Sequence, residues 1–440
     1  MRTRIPAVAV GLALLSTGLV ACGGGSSGGG SAHPKTLTYW ASNQGTSIQN
    51  DQQILTPELK KFTQQTGIKV NLEVIPWPDL LNRILTATSS GNGPDVLNIG
   101  NTWSASLAAT GAFQPFDQAT LAKIGGKDKF VPSTLTATGA SGQTPDFVPL
   151  YGLAYGLFYN KKMFAQAGIA SPPTTWEQLV ADAKRLTNPA KGQYGVTVEG
   201  ASYTENAHFA FMFGKQHGAS VFDGSKPAFD SAQMVAGVKQ YLDLMSSDKV
   251  VNPADAEYST DPQVFSEFAN NKAAMVMFQG NAENSLTQDG MVSGKDYGVV
   301  PIPFPSPMPA GGQKVNSHIA GINIGVFKNS GNEDGALKLV KFLTSQAEQT
   351  ALNAKYHTLP VVTAAYSDKA FQTPDIKVFQ QVLAQTAQTM PMIAQESQFE
   401  TTVGTALKSL MADAATGKTV SDADIKAKLS AANQQMATGG

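Results

Sequence analysis

Between residues 35 and 99 the hydrophobic pattern switches repeatedly between the period of a strand and the period of a helix. Residues 35–40 (KTLTYW) are β-branched and aromatic, which predicts a short strand. Residues 51–66 carry apolar side chains at helical spacing and run into Gly67, a residue suited to end a helix. Residues 68–75 alternate apolar and polar as far as Val74, a second helix is expected over 77–89, and 94–99 reads as another strand. Strand, helix, strand, helix, strand predicts an α/β domain built on a mostly parallel sheet. Ligands of such sheets gather at the carboxyl ends of the strands. The loops beyond Trp40, Ile75 and Ile99 therefore supply the first candidates: Asn43 and Gln44, then Trp77, then Asn101, Thr102 and Trp103.

The same alternation returns further along. Strands are expected at 155–160, 273–278, 297–302 and 321–327. Helices are expected at 161–167, from Thr174 or Thr175 to Leu186, and at 234–246, 263–270, 333–344 and 346–355, with mostly helix after 375. Residues 203–208 read as a polar-aromatic loop. A chain of 440 residues has room for two or three domains. Boundaries are expected near Phe147 and at the proline-rich 301–305 segment.

The N-terminus has a different character. Arg2 and Arg4 precede an apolar stretch from about Ala7 to Val20, broken by Ser16 and Thr17, which matches a secretory leader. A membrane-spanning helix needs roughly 20 apolar residues, more than this stretch offers. Leu19-Val20-Ala21-Cys22 places the chain's single cysteine just after small residues, and it resembles the lipobox of bacterial lipoproteins. Cys22 is thus the expected lipidation site, palmitate included, with 1–21 the signal peptide and 22–35 a Gly/Ser tether. Cleavage there puts the protein on the extracytoplasmic face of the cell membrane. A formal net charge of −1 carries no electrostatic signature for nucleic acid.

Several runs in order then resemble the carbohydrate-type extracellular solute-binding proteins, the family that includes maltodextrin binders. Gly67-Ile68-Lys69-Val70, Gly93-Pro94-Asp95-Val96, Tyr159-Asn160-Lys161, Pro172-Pro173-Thr174-Thr175-Trp176-Glu177, Lys272-Ala273-Ala274-Met275 and Leu359-Pro360-Val361 carry the resemblance. It implies an α/β fold of two lobes, each a mostly parallel mixed sheet flanked by helices, joined by a multi-crossing hinge and closing like a flytrap. Lobe one would comprise 36–147 plus 301–346, and lobe two 148–300 plus 347–436. It also implies a monomeric component of an ABC importer that hands a sugar to membrane permease subunits, with no cofactor, no metal and no catalysis.

Sugars present apolar C–H faces and a rim of hydroxyls, so a site needs aromatic platforms and several hydrogen-bonding groups. Each such bond is worth about 0.5–1.5 kcal/mol net. Further candidates are Tyr151 and Tyr155 at the first crossing, the 203–208 segment with His208, Gln279, Gly280 and Asn281 after the 273–278 strand, and the 316–322 segment, with Asn316 and Gly321, before a later one. Phe399 falls where the family places a stacking tryptophan. The Gly280-Asn281-Ala282 run lacks the aromatic platform that family members carry there, and Leu153 stands in place of a glutamate. Amide and hydroxyl candidates predominate, which favours a small neutral di- or oligosaccharide. The rival readings are a secreted glycoside hydrolase, using acids such as Glu199, Glu205, Glu257 or Glu283, and a sugar sensor on the same fold. H-E-x-x-H does not occur.

Overall fold

The chain enters its first sheet at β1 (Thr36–Ser42), whose alternating side chains bury Leu37, Tyr39 and Ala41. Helix α1 (Ile48–Thr66) follows, starting three residues earlier than the apolar spacing suggested because the Ser47 side chain accepts from the Asn50 N–H and caps it. Gly67 ends it at φ 73°, donating its N–H to the Thr63 carbonyl. β2 (Lys69–Ile75), α2 (Trp77–Ser90) and β3 (Val96–Gly100) complete the expected unit. β1 lies parallel to β2 from Thr36↔Lys69 to Ser42↔Ile75, and parallel to β3 through Tyr39↔Val96. The protein is described by a computed structural model covering residues 35–224 and 226–438. The expected leader, Cys22 and most of the tether lie outside the described residues.

Two more strands join antiparallel: β4 (Phe147–Leu153) and Ala320–Val326, with Leu359–Pro360 at the edge. The order is Leu359–Pro360, β4, Ala320–Val326, β3, β1, β2. A single residue, Ala154, separates β4 from β5 (Tyr155–Asn160), which opens the second sheet. That sheet runs Tyr297–Val300, β5, Ala273–Gln279, β6 (Tyr194–Thr197). Each sheet is flanked by helices and has its own hydrophobic core, giving a two-lobed α/β protein. The Tyr297 strand stops at Val300 because Pro301 has no N–H to extend the ladder.

The chain crosses between the sheets at 153–155, again between Val300 and Ala320, and again after Pro360. The boundary expected at 346 does not coincide with a change of sheet. Helix Gln346–Tyr356 stays on the first, where the Gln349 amide donates to the Leu150 carbonyl at 2.9 Å. Helix Pro374–Gln385 then packs against β5 and the Tyr297 strand.

The segment expected as a loop at 203–208 is helical: Ser202 caps a helix from Tyr203 to Gln216. Nearly all of its side chains are buried, so it has no polar face and no helical period to read. It lies against helix Glu396–Ala415 at a very short distance, since a Cβ on Gly404 would stand 1.9 Å from the Tyr203 carbonyl oxygen. Two of the clusters described next sit on these two helices.

Candidate ligand site

β3 ends at Gly100 and turns through a 3-10 segment, Asn101–Trp103, that leads into a short helix. Asn101 fixes this turn by donating its amide to the Ile319 carbonyl at 2.8 Å. Trp103 is 1% exposed, with the half-buried Trp77 ring against it edge-on at 5.8 Å. Its indole N–H reaches across to the second lobe and donates to Glu400 Oε2 at 2.6 Å. The backbone N–H of Ser397, on the same helix as Glu400, donates to Ser106 Oγ. The two lobes are therefore joined at this point by hydrogen bonds from the carboxyl end of β3.

Behind Glu400 lies a chain of polar groups. Its other oxygen stands 3.2 Å from His208 Nε2. His208 Nδ1 is 2.8 Å from the Tyr155 hydroxyl, which donates to the Glu205 carboxylate, and the Gln279 amide donates to the same hydroxyl at 2.9 Å. Burial disfavours the His208 charge, but the hydrogen bonds and charges of Glu205 and Glu400 outweigh it and push the imidazole up to about 9. Burial likewise works against the Glu400 carboxylate, and bonding to His208, Thr102 and Trp103 overcomes it, so its pKa is lowered. An imidazolium thus donates from both nitrogens, toward Glu400 on one side and Tyr155 on the other.

Around this chain stand polar groups that no protein partner satisfies. His318 is 2% exposed, packs 4.2 Å from the His208 ring, and has both nitrogens unbonded. Burial and the neighbouring His208 charge hold it neutral, well below the usual imidazole range. Glu396, one turn before Glu400, is fully buried and neither of its oxygens has a donor. Burial and Glu400 raise it well above the carboxylate range. At the end of β6, Glu199 is buried against Asp261; burial pushes Glu199 far up and Asp261 to about 6. Between α1 and helix Ala282–Gln288 lies an open cleft of 360 Å³. Gln49, Asn50 and Gln53 of α1 line one wall, Asn284 and Gln288 of helix Ala282–Gln288 the other, with Lys355 beside them. Its volume falls at the low end of the range for small-molecule sites, and its lining is more polar than is usual for them.

The sequence profile of the bacterial extracellular solute-binding proteins matches residues 45–350. This chain belongs to that family. Among curated relatives, the maltotriose-binding protein of Pyrococcus abyssi is 26% identical over 68% of this chain and 60% of its own length. The diacetylchitobiose-binding protein of Streptomyces coelicolor is 26% identical over 82% of both chains. Two solved structures share the fold. An ABC-transporter solute-binding protein from Thermotoga lettingae, bound with α-D-tagatose, has a TM-score of 0.78 at 23% identity, covering 91% of this chain and 99% of its own. A maltose-bound protein from T. maritima has a TM-score of 0.78 at 23% identity over 92% and 100%.

In this solute-binding protein the expected site residues divide. Trp77, Asn101, Thr102, Trp103, Tyr155 and His208 come together at the interlobe contact. Asn43 and Gln44 wrap instead around Asp51, which accepts from the Asn43 amide and the Gln44 and Gly45 N–H groups near the open cleft. Asn281 precedes the helix on the cleft's far wall, and its buried Oδ1 lacks a partner. Gly280 lets the backbone pass close to the His357 carbonyl and the Phe379 ring.

The remaining expectations point elsewhere. Tyr151 packs edge-on against Tyr356 inside the first core. Asn316 ties the hinge together, donating to the Ile302 carbonyl and accepting from Thr386. Gly321 admits the Tyr151 carbonyl, which a Cβ would meet at 2.5 Å. Phe399 is fully buried, 5.3 Å from Phe229, because the residue preceding Glu400 on a helix faces a different direction. Sequence reasoning missed Glu396 and Glu400; it named Gln279, and it reached His318 and Glu205 only as members of the 316–322 and 203–208 segments, Glu205 also as a hydrolytic acid. The i, i+4 spacing of Glu396 and Glu400, which puts two acids on one face at the start of the helix, was the available signal.

Proposed function

We propose that this protein is the sugar-capturing component of an ABC importer, lipid-anchored through Cys22 and acting as a monomer without chemistry on its ligand. The observation that carries the reading is the interlobe face. Trp103 on lobe one, with Trp77 packed against it, donates to Glu400 on lobe two, and an amide-lined cleft lies between α1 and helix Ala282–Gln288. Ring platforms with mixed donors and acceptors suit a di- or oligosaccharide, and the ligands named for relatives are carbohydrates. Following the sheets, lobe one would hold residues 36–153 with 320–360, and lobe two 155–300 with 374–438. A ligand contacting both faces would favour closure by its preference for the closed form. The closed pair of lobes would then be presented to the permease, with the tether keeping it near the membrane.

A thermal-shift screen against mono-, di- and oligosaccharides tests this, with amino acids, glycerol phosphates and polyamines as controls. Binding to the native state alone adds about 2.7 kcal/mol of stability at a hundredfold excess over Kd. A shift with one carbohydrate group, compaction in small-angle scattering and no turnover are expected. A response confined to the controls, or hydrolysis of the sugar, refutes the reading. Cys22→Ser is expected to move the protein from the membrane fraction to the medium, and retention would refute the anchor.

A further inference from the structure

The interlobe contact is acid-rich in a way that the loop amides did not foretell. Glu205 and His208 come from helix Tyr203–Gln216, Glu396 and Glu400 from helix Glu396–Ala415, Glu199 from the end of β6 and Asp261 from helix Asp261–Ala269. His208 is the one imidazolium among them, set between Glu205 and Glu400. Among the described residues no lysine or arginine forms a salt bridge with any of these groups. Acceptors are also in excess: both Glu396 oxygens and Glu199 Oε1 are buried without a donor. The neutral His318 ring adds an unused N–H and an unused acceptor nitrogen at the same place.

Resting on the sugar-binding reading above, we propose that the ligand is an amino sugar, whose protonated amine sits against the Glu396–Glu400 turn beside Trp103. Lobe closure strips water from these carboxylates, and a buried charge is tolerated only when paired. Glu396 is held protonated by its burial and by Glu400, and a neutral sugar leaves it so. An ammonium supplies one positive charge and three donors with no acceptor, which is what two orphaned carboxyl oxygens and the neighbouring Glu400 require. The ring hydroxyls, which both donate and accept, meet His318 and Gln279, and the Trp77–Trp103 pair covers the ring's apolar face. The expectation of a neutral ligand came from loop residues. The acids lie on helices that only the folded chain brings to the loops.

Calorimetric titration of the full-length chain at pH 7 tests this with matched sets: glucose, glucosamine and N-acetylglucosamine; galactose and galactosamine with its N-acetyl form; cellobiose, chitobiose and diacetylchitobiose. In the set that binds, the free amine is expected to bind at least tenfold tighter than its hydroxyl or acetylated counterpart, and Glu400→Gln and Glu205→Gln are each expected to narrow that ratio severalfold. Equal or tighter binding of the neutral member overturns the amine proposal and leaves the sugar-binding function standing. A ratio unchanged in both variants overturns the assigned seat. No response to any carbohydrate, or a response to spermidine alone, overturns this proposal and the sugar-binding function together.

Discussion

Replacing Glu400 with glutamine changes one oxygen for an NH2 at nearly constant volume, in a position that is fully buried. In the native protein the carboxylate accepts from the Trp103 indole at 2.6 Å and pairs with His208 Nε2 at 3.2 Å. The glutamine carbonyl can keep the first bond. Its NH2 then faces the Nε2–H of His208, donor against donor, so the imidazolium loses one of its two partners. A hydrogen bond to a charged group is worth about 1.5–3 kcal/mol. Unfolding entropy near about 2.1 cal/mol/K per residue, over roughly 400 residues, converts that to a drop in Tm of roughly 2–4 °C. Differential scanning calorimetry at pH 7 reads it directly. The sign of the pH dependence makes the test stricter. Glu400 has a lowered pKa, so its contribution is present above the unfolded carboxylate value and is lost as pH falls through the folded one. The Tm difference between wild type and variant must therefore shrink in acid, below a pH of about 4. An unchanged Tm at pH 7, or a difference that persists undiminished in acid, would refute the ion-paired role assigned to Glu400.

Two further outcomes follow from the same structure. Asp51 and Asp146 are raised to about 6, Asp255 and Glu348 to about 7, and His208 to about 9. Each contributes stability that is complete below its unfolded value and lost as pH rises through the folded one, so Tm should fall steadily from pH 5 to pH 9; a flat or rising profile contradicts the burial of these acids. Gly404→Ala forces a Cβ to within 1.9 Å of the Tyr203 carbonyl oxygen, and overpacking of this kind costs about 1–3 kcal/mol. The urea midpoint should drop accordingly, and ligand affinity should weaken with it, because Glu205, His208 and Glu400 sit on the two helices driven apart; an unaltered midpoint would disprove their close approach.

The N-terminal unit of the first lobe was legible because each element carries its own signal. β1 and β2 show their alternation, α1 shows its apolar stripe, and Gly67 and Gly91 take the left-handed conformation that ends each helix. The helix Tyr203–Gln216 was not legible for the opposite reason. It is surrounded on all sides, so Phe209, Phe211 and Phe213 are buried together and no amphipathic period survives. The same distinction separates the site residues. Asn101, Thr102 and Trp103 could be named because they follow a recognisable strand, and a strand's carboxyl end is a local fact about the chain. Glu400 could not, since it stands 297 residues from the tryptophan it binds.

By itself, then, the sequence determined the α/β class and the resemblance to the solute-binding family, and it named the loops at the strand ends as candidates for a ligand, all of which depend on short-range periodicity and turn chemistry. Only the tertiary structure decided that Phe399 faces a core, that helix Gln346–Tyr356 stays on the first sheet, and that Glu396, Glu400, Glu205, His208 and His318 converge beside Trp103. Those outcomes depend on which way each helix is rotated and how closely two helices pack, and that is set by long-range burial rather than by any residue's neighbours along the chain.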